Sequence, residues 1–289
     1  MKRFLIRTLL WFIISILTIC IVDTIYFYSG LINKNTIGHE VKVAIKNSKD
    51  TSYYRYVILG DSVGLQLYNS WTNYDNLISL ASNRGISLAG QFFLLNNYID
   101  CHRNSLPDAV ILVITYQSLF NELTSDLSYP YFLKNFYRSE YLPLYNEPLW
   151  FQVKKTPFYW TSWLPVFRTS NFAFHYSVAP SGNHILISPI TESYLREIEK
   201  ITEDNHISFR LVIAPIRESG REAFLSTMHD GYLNGELDDT LLVRALNEVE
   251  IYPDTMYRDD VHFNADDIPV DFLHLQGKGW KTHYPSPKR

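Results

Sequence analysis

The sequence predicts an α/β fold: a parallel sheet with helices on both faces, an N-terminal transmembrane helix before it and an aromatic-rich insertion within it. Three observations lead there. Short, continuous apolar runs recur four times, stretches with apolar residues at helical spacing lie between them, and one long apolar segment opens the chain. At 289 residues with 46% hydrophobic and 19% charged residues, the chain can bury a real core of one or two domains, and disorder, collagen-like repeats and a disulfide-stapled miniprotein are excluded.

The opening segment comes first. After Lys2, Arg3 and Arg7 the chain is apolar from Thr8 to Val22, meets Asp23, and continues as TIYFY to Tyr28. At 1.5 Å per residue Thr8 to Tyr28 reaches about 31 Å, roughly the hydrocarbon thickness of a bilayer. Asp23 is tolerable near one end, beside an aromatic belt of Tyr26, Phe27 and Tyr28. The basic flank predicts a cytoplasmic N terminus and an extracytoplasmic domain. A cleaved signal peptide is the competing reading; the bulky IYFYSG and the lack of a small-x-small site after Cys20 argue for an uncleaved anchor over 1–28.

Residues 29–52 are polar and Lys/Asn-rich and read as a stalk or a helix leading into the domain, which is expected over 53–276. Strands are predicted at Tyr56–Gly60, Asn76–Ala81, Ala109–Thr115 and Phe209–Ala214. Leu88, Phe92, Leu95 and Ile99 mark one amphipathic helix, and Leu195, Ile198 and Ile201 mark another over Glu192–Asn205. About 128–180 there is no clear period but many Tyr, Phe, Trp and Pro residues, which predicts an inserted subdomain or lid whose aromatics mostly pack as core, with stacking on sugar rings or contact with a membrane interface as the alternatives. Residues 277–289 are a basic tail.

Charge is unevenly spread. Residues 1–52 hold seven Lys/Arg against three acids, which leaves 19 basic and 27 acidic residues downstream, net −8. No nucleic-acid partner is expected for so acidic a body. Cys20 lies in the anchor, so Cys101 has no internal disulfide partner in the body.

Ligand and catalytic groups of parallel α/β sheets collect at the carboxyl ends of the strands. The first strand ends in Gly60-Asp61-Ser62-Val63, a sharp turn that presents Ser62 at a helix start; the bland alternative is that Ser62 only caps the helix. The second ends in Ser82-Asn83-Arg84-Gly85, where Gly85 brings a backbone N–H close to an oxyanion or is an ordinary turn glycine. Near the C terminus Asp259 precedes His262 by three residues, a spacing that lets a carboxylate hold one imidazole nitrogen while the other faces a serine, although surface turns often share it. No metal site is expected: the other histidines show no H-x-x-H or Cys/His spacing, and Asp238-Asp239 and Asp266-Asp267 read as solvated loop charges. No phosphate-binding or dinucleotide fingerprint is present, and no cofactor is expected.

In order and context these blocks resemble the SGNH/GDSL hydrolase superfamily over about residues 54–264, with a flavodoxin-like three-layer fold. They look most like its membrane-anchored branch, which assists O-acetylation or D-alanylation of cell-surface polymers. The resemblance rests on the anchor, LGDS, and LASNRGISLAGQFFLLNNYI. It implies Ser62 as nucleophile, His262 as general base and acid, Asp259 as its orienting carboxylate, and an oxyanion hole from the N–H groups of Ser62 and Gly85. The implied partners are an acylated glycan or acyl donor and a membrane-bound O-acyltransferase. One departure stands out: where the superfamily offers an Asn after the third strand, this chain reads Ile114-Thr115-Tyr116-Gln117-Ser118, so the third donor falls to Gln117, with Asn121 and Asn83 as substitutes. Loss of one such donor typically lowers rate about 100- to 1000-fold, which keeps a noncatalytic scaffold open beside an esterase or acyltransferase. Ser181-Gly182-Asn183-His184 spells the superfamily's name by coincidence and carries no catalytic weight.

Overall fold

A computed structural model describes residues 1–28, 37–68, 76–123, 127–163, 187–233, 235 and 240–268. The chain divides into two compact units, 1–42 with 123–179 and 43–122 with 180–289.

The second unit contains a four-stranded parallel sheet in the order β2-β1-β3-β4, built from β1 (Tyr56–Gly60), β2 (Leu77–Ser79), β3 (Ala109–Ile114) and β4 (Ser208–Ile213). β3 is buried at all six positions. Side chains alternate across a strand, so Ile58, Ile111, Val113 and Val212 share one face, while Val57, Leu59, Val110, Leu112, Leu211 and Ile213 share the other. Both sets are buried, so the sheet is covered on both faces at these positions. The registers set Tyr56 against Leu77 and Ala109, and Ala109 against Ser208, which brings the carboxyl ends of the strands to one edge.

Two helices differ from their predicted stripes. The helix α4 (Ser87–Cys101) is buried continuously from Ser87 to Leu95 rather than on one face, because it packs against both β1 and the helix α7 (Pro189–Asp204). Helix α7 buries Ile190, Thr191, Tyr194, Leu195, Ile198 and Thr202, leaving Ile201 half-exposed. Its start follows from sequence: Ser188 caps the Thr191 N–H at 3.1 Å, and Pro189 occupies the first helical position, where a missing N–H does no harm.

Chain order and sheet order disagree at one place. From β1 the chain moves to β2 on one side, then crosses to β3 on the other, so the topological switch lies between the ends of β1 and β3, where α/β proteins open a crevice. Beyond β4 a small parallel pair, β5 (Ile216–Arg217) and β6 (Ile251–Tyr252), is connected through the helices α8 (Arg221–Leu233) and α9 (Thr240–Asn247). A hairpin follows: Tyr257 bridges Phe263, their rings stack at 4.4 Å, and both join the cluster of Ile58, Val63, Ile111, Val113 and Val212.

In the first unit the helix α1 (Lys2–Tyr28) carries a 21-residue stretch, Lys2–Val22, with mean hydropathy 2.5 and no burial, long and apolar enough to cross a membrane. Of the 29–52 segment, His39–Ser48 forms the helix α2 with Val41, Ala44 and Ser48 buried. The described part of the expected insertion, 128–163, is made of short helical pieces. A π-helical turn at Ser128–Leu133 runs into the short helix α5 (Lys134–Phe136), and α6 (Glu147–Lys155) follows. Pro130, Pro143 and Pro148 break the periodicity that would have revealed these pieces. Tyr129, Phe132, Phe136, Tyr141 and Tyr145 form its aromatic core, with Phe136 and Tyr141 edge to face at 5.2 Å.

Candidate functional site

Gly60 makes the turn after β1 possible. Its φ is 152°, and a Cβ there would lie 2.0 Å from the Val113 carbonyl oxygen, an overlap only glycine avoids. Gly64 approaches the same oxygen, at 2.7 Å from a built Cβ, so the helix α3 (Ser62–Leu67) packs on the end of β3. Asp61, not Ser62, is the N-cap: its carboxylate accepts from the N–H groups of Val63 (3.0 Å) and Gly64 (3.5 Å). The capping alternative for Ser62 is thereby removed. As the first helical residue Ser62 has an N–H with no intrahelical acceptor, and its half-buried hydroxyl points elsewhere.

That hydroxyl meets His262. Ser62 Oγ lies 2.9 Å from His262 Nε2, and His262 Nδ1 lies 3.0 Å from both carboxylate oxygens of Asp259. With Nδ1–H donating to the carboxylate, Nε2 is left to accept the serine proton, the directional order a Ser-His-Asp relay requires. The hairpin positions these groups: Arg258 N–H donates to the His262 carbonyl at 2.9 Å, and the buried Tyr257 and Phe263 pin the loop's two ends in the core. Within the loop, Asp259 Oδ1 accepts from Val261 N–H (3.0 Å) and His262 N–H (2.8 Å). Burial works against the Asp259 carboxylate, but these two N–H groups and the His262 ring outweigh it and hold its pKa down to about 2.

The three predicted oxyanion groups are placed differently from one another. Gly85 N–H donates to Asn83 Oδ1 at 2.9 Å, capping a 3-10 turn at Arg84–Ile86, so Asn83 must rotate before this N–H can serve an oxyanion. Gln117 lines a cleft with Tyr116, Arg217, Asp260 and Val261, on the histidine-loop side. Asn121 instead shares a small cavity with Gly60, Asp61, Asn83 and Ser118, and its side-chain amide donates to the Arg84 carbonyl. Asn83 and Asn121 therefore brace the Gly85 loop.

Three further residues shape the site, and two of them, Gln91 and Gln66, carry no motif. The second oxygen of Asp61 accepts from Thr115 N–H (2.7 Å), Thr115 Oγ1 (2.8 Å) and Ser118 Oγ (2.7 Å), which laces the serine turn to the segment after β3 across the switch point. Gln91 brackets the Gly60 peptide, donating to its carbonyl at 2.5 Å and accepting from its N–H at 3.0 Å. Gln66, one turn along α3 from Ser62, donates to the Phe263 carbonyl (2.8 Å) and accepts from the Phe263 N–H (3.0 Å), holding the residue next to His262. The signal for Gln66 was its i+4 spacing from Ser62, which puts both on one helix face. Asp61 was visible as part of G-D-S, but its partners 54 and 57 residues on were not.

Among the described residues no group of three His, Cys, Asp or Glu side chains is placed to hold a metal ion. Asp238-Asp239, Ser181–His184 and the 277–289 tail lie outside the described residues. No protein-family model, curated protein or solved structure matches the chain.

Proposed function

We propose that this chain is a membrane-anchored serine esterase or O-acyltransferase of SGNH type, with a three-layer, flavodoxin-like domain that removes or transfers an acyl group, acetyl first among them, on a cell-surface glycan. The observation that carries the reading is the unbroken Ser62–His262–Asp259 relay. Ser62 Oγ attacks the ester carbonyl as its proton passes to His262 Nε2. The tetrahedral intermediate then expels the alcohol, which takes that proton from His262 and leaves an acyl-Ser62. Water, or a sugar hydroxyl in a transferase, repeats the sequence in reverse. Asp259 stabilises the imidazolium without itself being protonated. Ser62 N–H supplies one oxyanion donor, and Gly85 N–H joins it once Asn83 turns away. The apolar helix Lys2–Val22 supports a single-pass anchor, and its Lys2/Arg3/Arg7 flank supports an extracytoplasmic domain.

A second reading, a noncatalytic SGNH-like partner of a membrane-bound O-acyltransferase or a glycan-binding module, is favoured by one observation: the Gly85 N–H is already engaged by Asn83. Labelling by a serine-directed fluorophosphonate separates the two. The enzyme reading expects labelling that Ser62→Ala and His262→Ala abolish, together with loss of turnover of a model acetyl ester in a folded Ser62→Ala protein. Unchanged turnover in that variant refutes the relay, and a folded parent chain that never labels supports the partner.

A further inference from the structure

Not all aromatics of the first unit pack inward. On α6 the buried positions are Leu149, Gln152 and Val153, which turns Phe151, Lys154 and Lys155 outward and leaves Trp150 half-buried. Phe151 is 57% exposed, Trp160 56% and Trp163 45%. The rings of Trp150, Tyr159 and Trp163 all stand against Tyr137, at 6.3, 5.4 and 5.8 Å, and Trp160 shares the Trp163 face of their 3-10 turn. Lys155 Nζ sits 3.8 Å over the Phe151 ring and Lys154 Nζ 5.6 Å over Trp150, so two cations lie among the rings. One acid, Glu147 at the start of α6, stands a turn from Trp150 and Phe151, and from Pro148 to Trp163 there is none, in a chain whose residues beyond 52 carry net −8.

The same unit is tied to the apolar helix by a short length of chain. Pro130's carbonyl oxygen lies 2.9 Å from where a Gly38 Cβ would stand, so residues 37–42 rest on the Pro130 turn, and the adjacent Tyr129 hydroxyl meets Thr161 Oγ1 at 2.8 Å. Nine Cα steps separate Tyr28 from Ile37. They span at most about 32 Å, so a membrane crossed by α1 is within that reach of the Pro130 turn, and the Tyr129–Thr161 bond ties that turn to the segment that carries Trp160 and Trp163.

We infer that this surface is a bilayer-interface contact: Phe151, Trp160 and Trp163 enter the headgroup layer of the membrane that α1 crosses, and Lys154 and Lys155 face anionic lipid. The inference rests on the anchor reading above. Tryptophan rings beside snorkelling lysines are the chemistry of the lipid interface.

The test uses the full chain in vesicles of equimolar phosphatidylcholine and phosphatidylglycerol carrying bromine near the headgroup end of the acyl chains. The fluorescence lost on Trp160→Phe/Trp163→Phe, two exposed positions where phenylalanine keeps a ring, should be a component the bromolipid quenches. Trp11→Phe reports the anchor separately through deep bromines. In anionic vesicles Lys154→Gln and Lys155→Gln should each lower the ratio of docked to undocked surface about fivefold, with no change in pure phosphatidylcholine. Trp11 quenched with Trp160 and Trp163 unquenched overturns the inference and leaves the anchor standing. Trp160 and Trp163 quenched without Trp11 upholds the lipid contact and refutes the anchor, and no quenching at either place overturns both.

Discussion

Asp61 offers the sharpest separation of architecture from chemistry. Its carboxylate is 3% exposed and accepts five hydrogen bonds, two from the start of α3 and three from Thr115 and Ser118. Asp61→Ala removes a helix cap, at about 0.5–2 kcal/mol. It also orphans the Thr115 N–H, at about 1–3 kcal/mol. The two hydroxyls lose less, since they lie 3.1 Å apart and can satisfy each other. The sum is about 2–5 kcal/mol, or about 4–20 °C in Tm for a domain of this size. Asp61→Asn keeps one acceptor for the cap and lets the hydroxyls reverse, but still faces the Thr115 N–H with an amide donor, so a loss of about 1–3 kcal/mol is expected. Thermal unfolding in detergent followed by circular dichroism measures both, and fluorophosphonate labelling well below Tm measures the site. The expected order is Ala below Asn below parent, with Ser62 of the Asn variant still labelling. An Asn variant with the parent Tm and no labelling would show that Asp61 acts in the chemistry and would refute this account.

Gln66→Leu, which deletes both bonds to Phe263 at similar volume, should slow Ser62 labelling by up to about 100-fold through misplacement of His262, and Gln66→Glu, which keeps the bond from Phe263 N–H, should fall between; equal rates in all three would deny the clamp a role. Asp259 has a folded pKa of about 2, below its ordinary 3.8, so its contribution to stability is present above about pH 4 and disappears as pH falls toward 2. Asp259→Asn should therefore flatten that part of the Tm-against-pH curve, and parallel curves for parent and variant would contradict the assignment. Gly60→Ala forces a Cβ onto the Val113 carbonyl at 2.0 Å and should yield no folded protein by circular dichroism, whereas a parent-like melt would mean the turn is not as described.

The local parts of this architecture could be read from residue order. Tyr56–Gly60 is a strand because the apolar run Tyr56–Leu59 leaves no polar face, and Ala109–Ile114 repeats the pattern. G-D-S and D-x-x-H are each short enough that the turn they make depends mainly on their own residues. The insertion was harder, because prolines interrupt its helices and its aromatics serve both core and surface, a division that spacing does not reveal. Which donors flank the serine was also hidden: Gln117, the nearest in sequence to the expected Asn, lies in the Arg217 cleft, while Asn121 and Asn83 brace the Gly85 loop.

By itself the sequence determined an apolar N-terminal helix, four strands with helices between them, and the serine, histidine and aspartate as candidates, since each follows from composition and spacing within a few residues. Only the tertiary structure decided that His262 reaches Ser62 across 200 residues, that Gln66 grips Phe263 across 197, and that Asp61 is tied to Thr115 and Ser118. The physical reason is the sheet order. Placing β3 beside β1, with β2 on the far side, sets distant loops at one crevice, and there the buried Asp61, Thr115 and Ser118 satisfy one another in place of water.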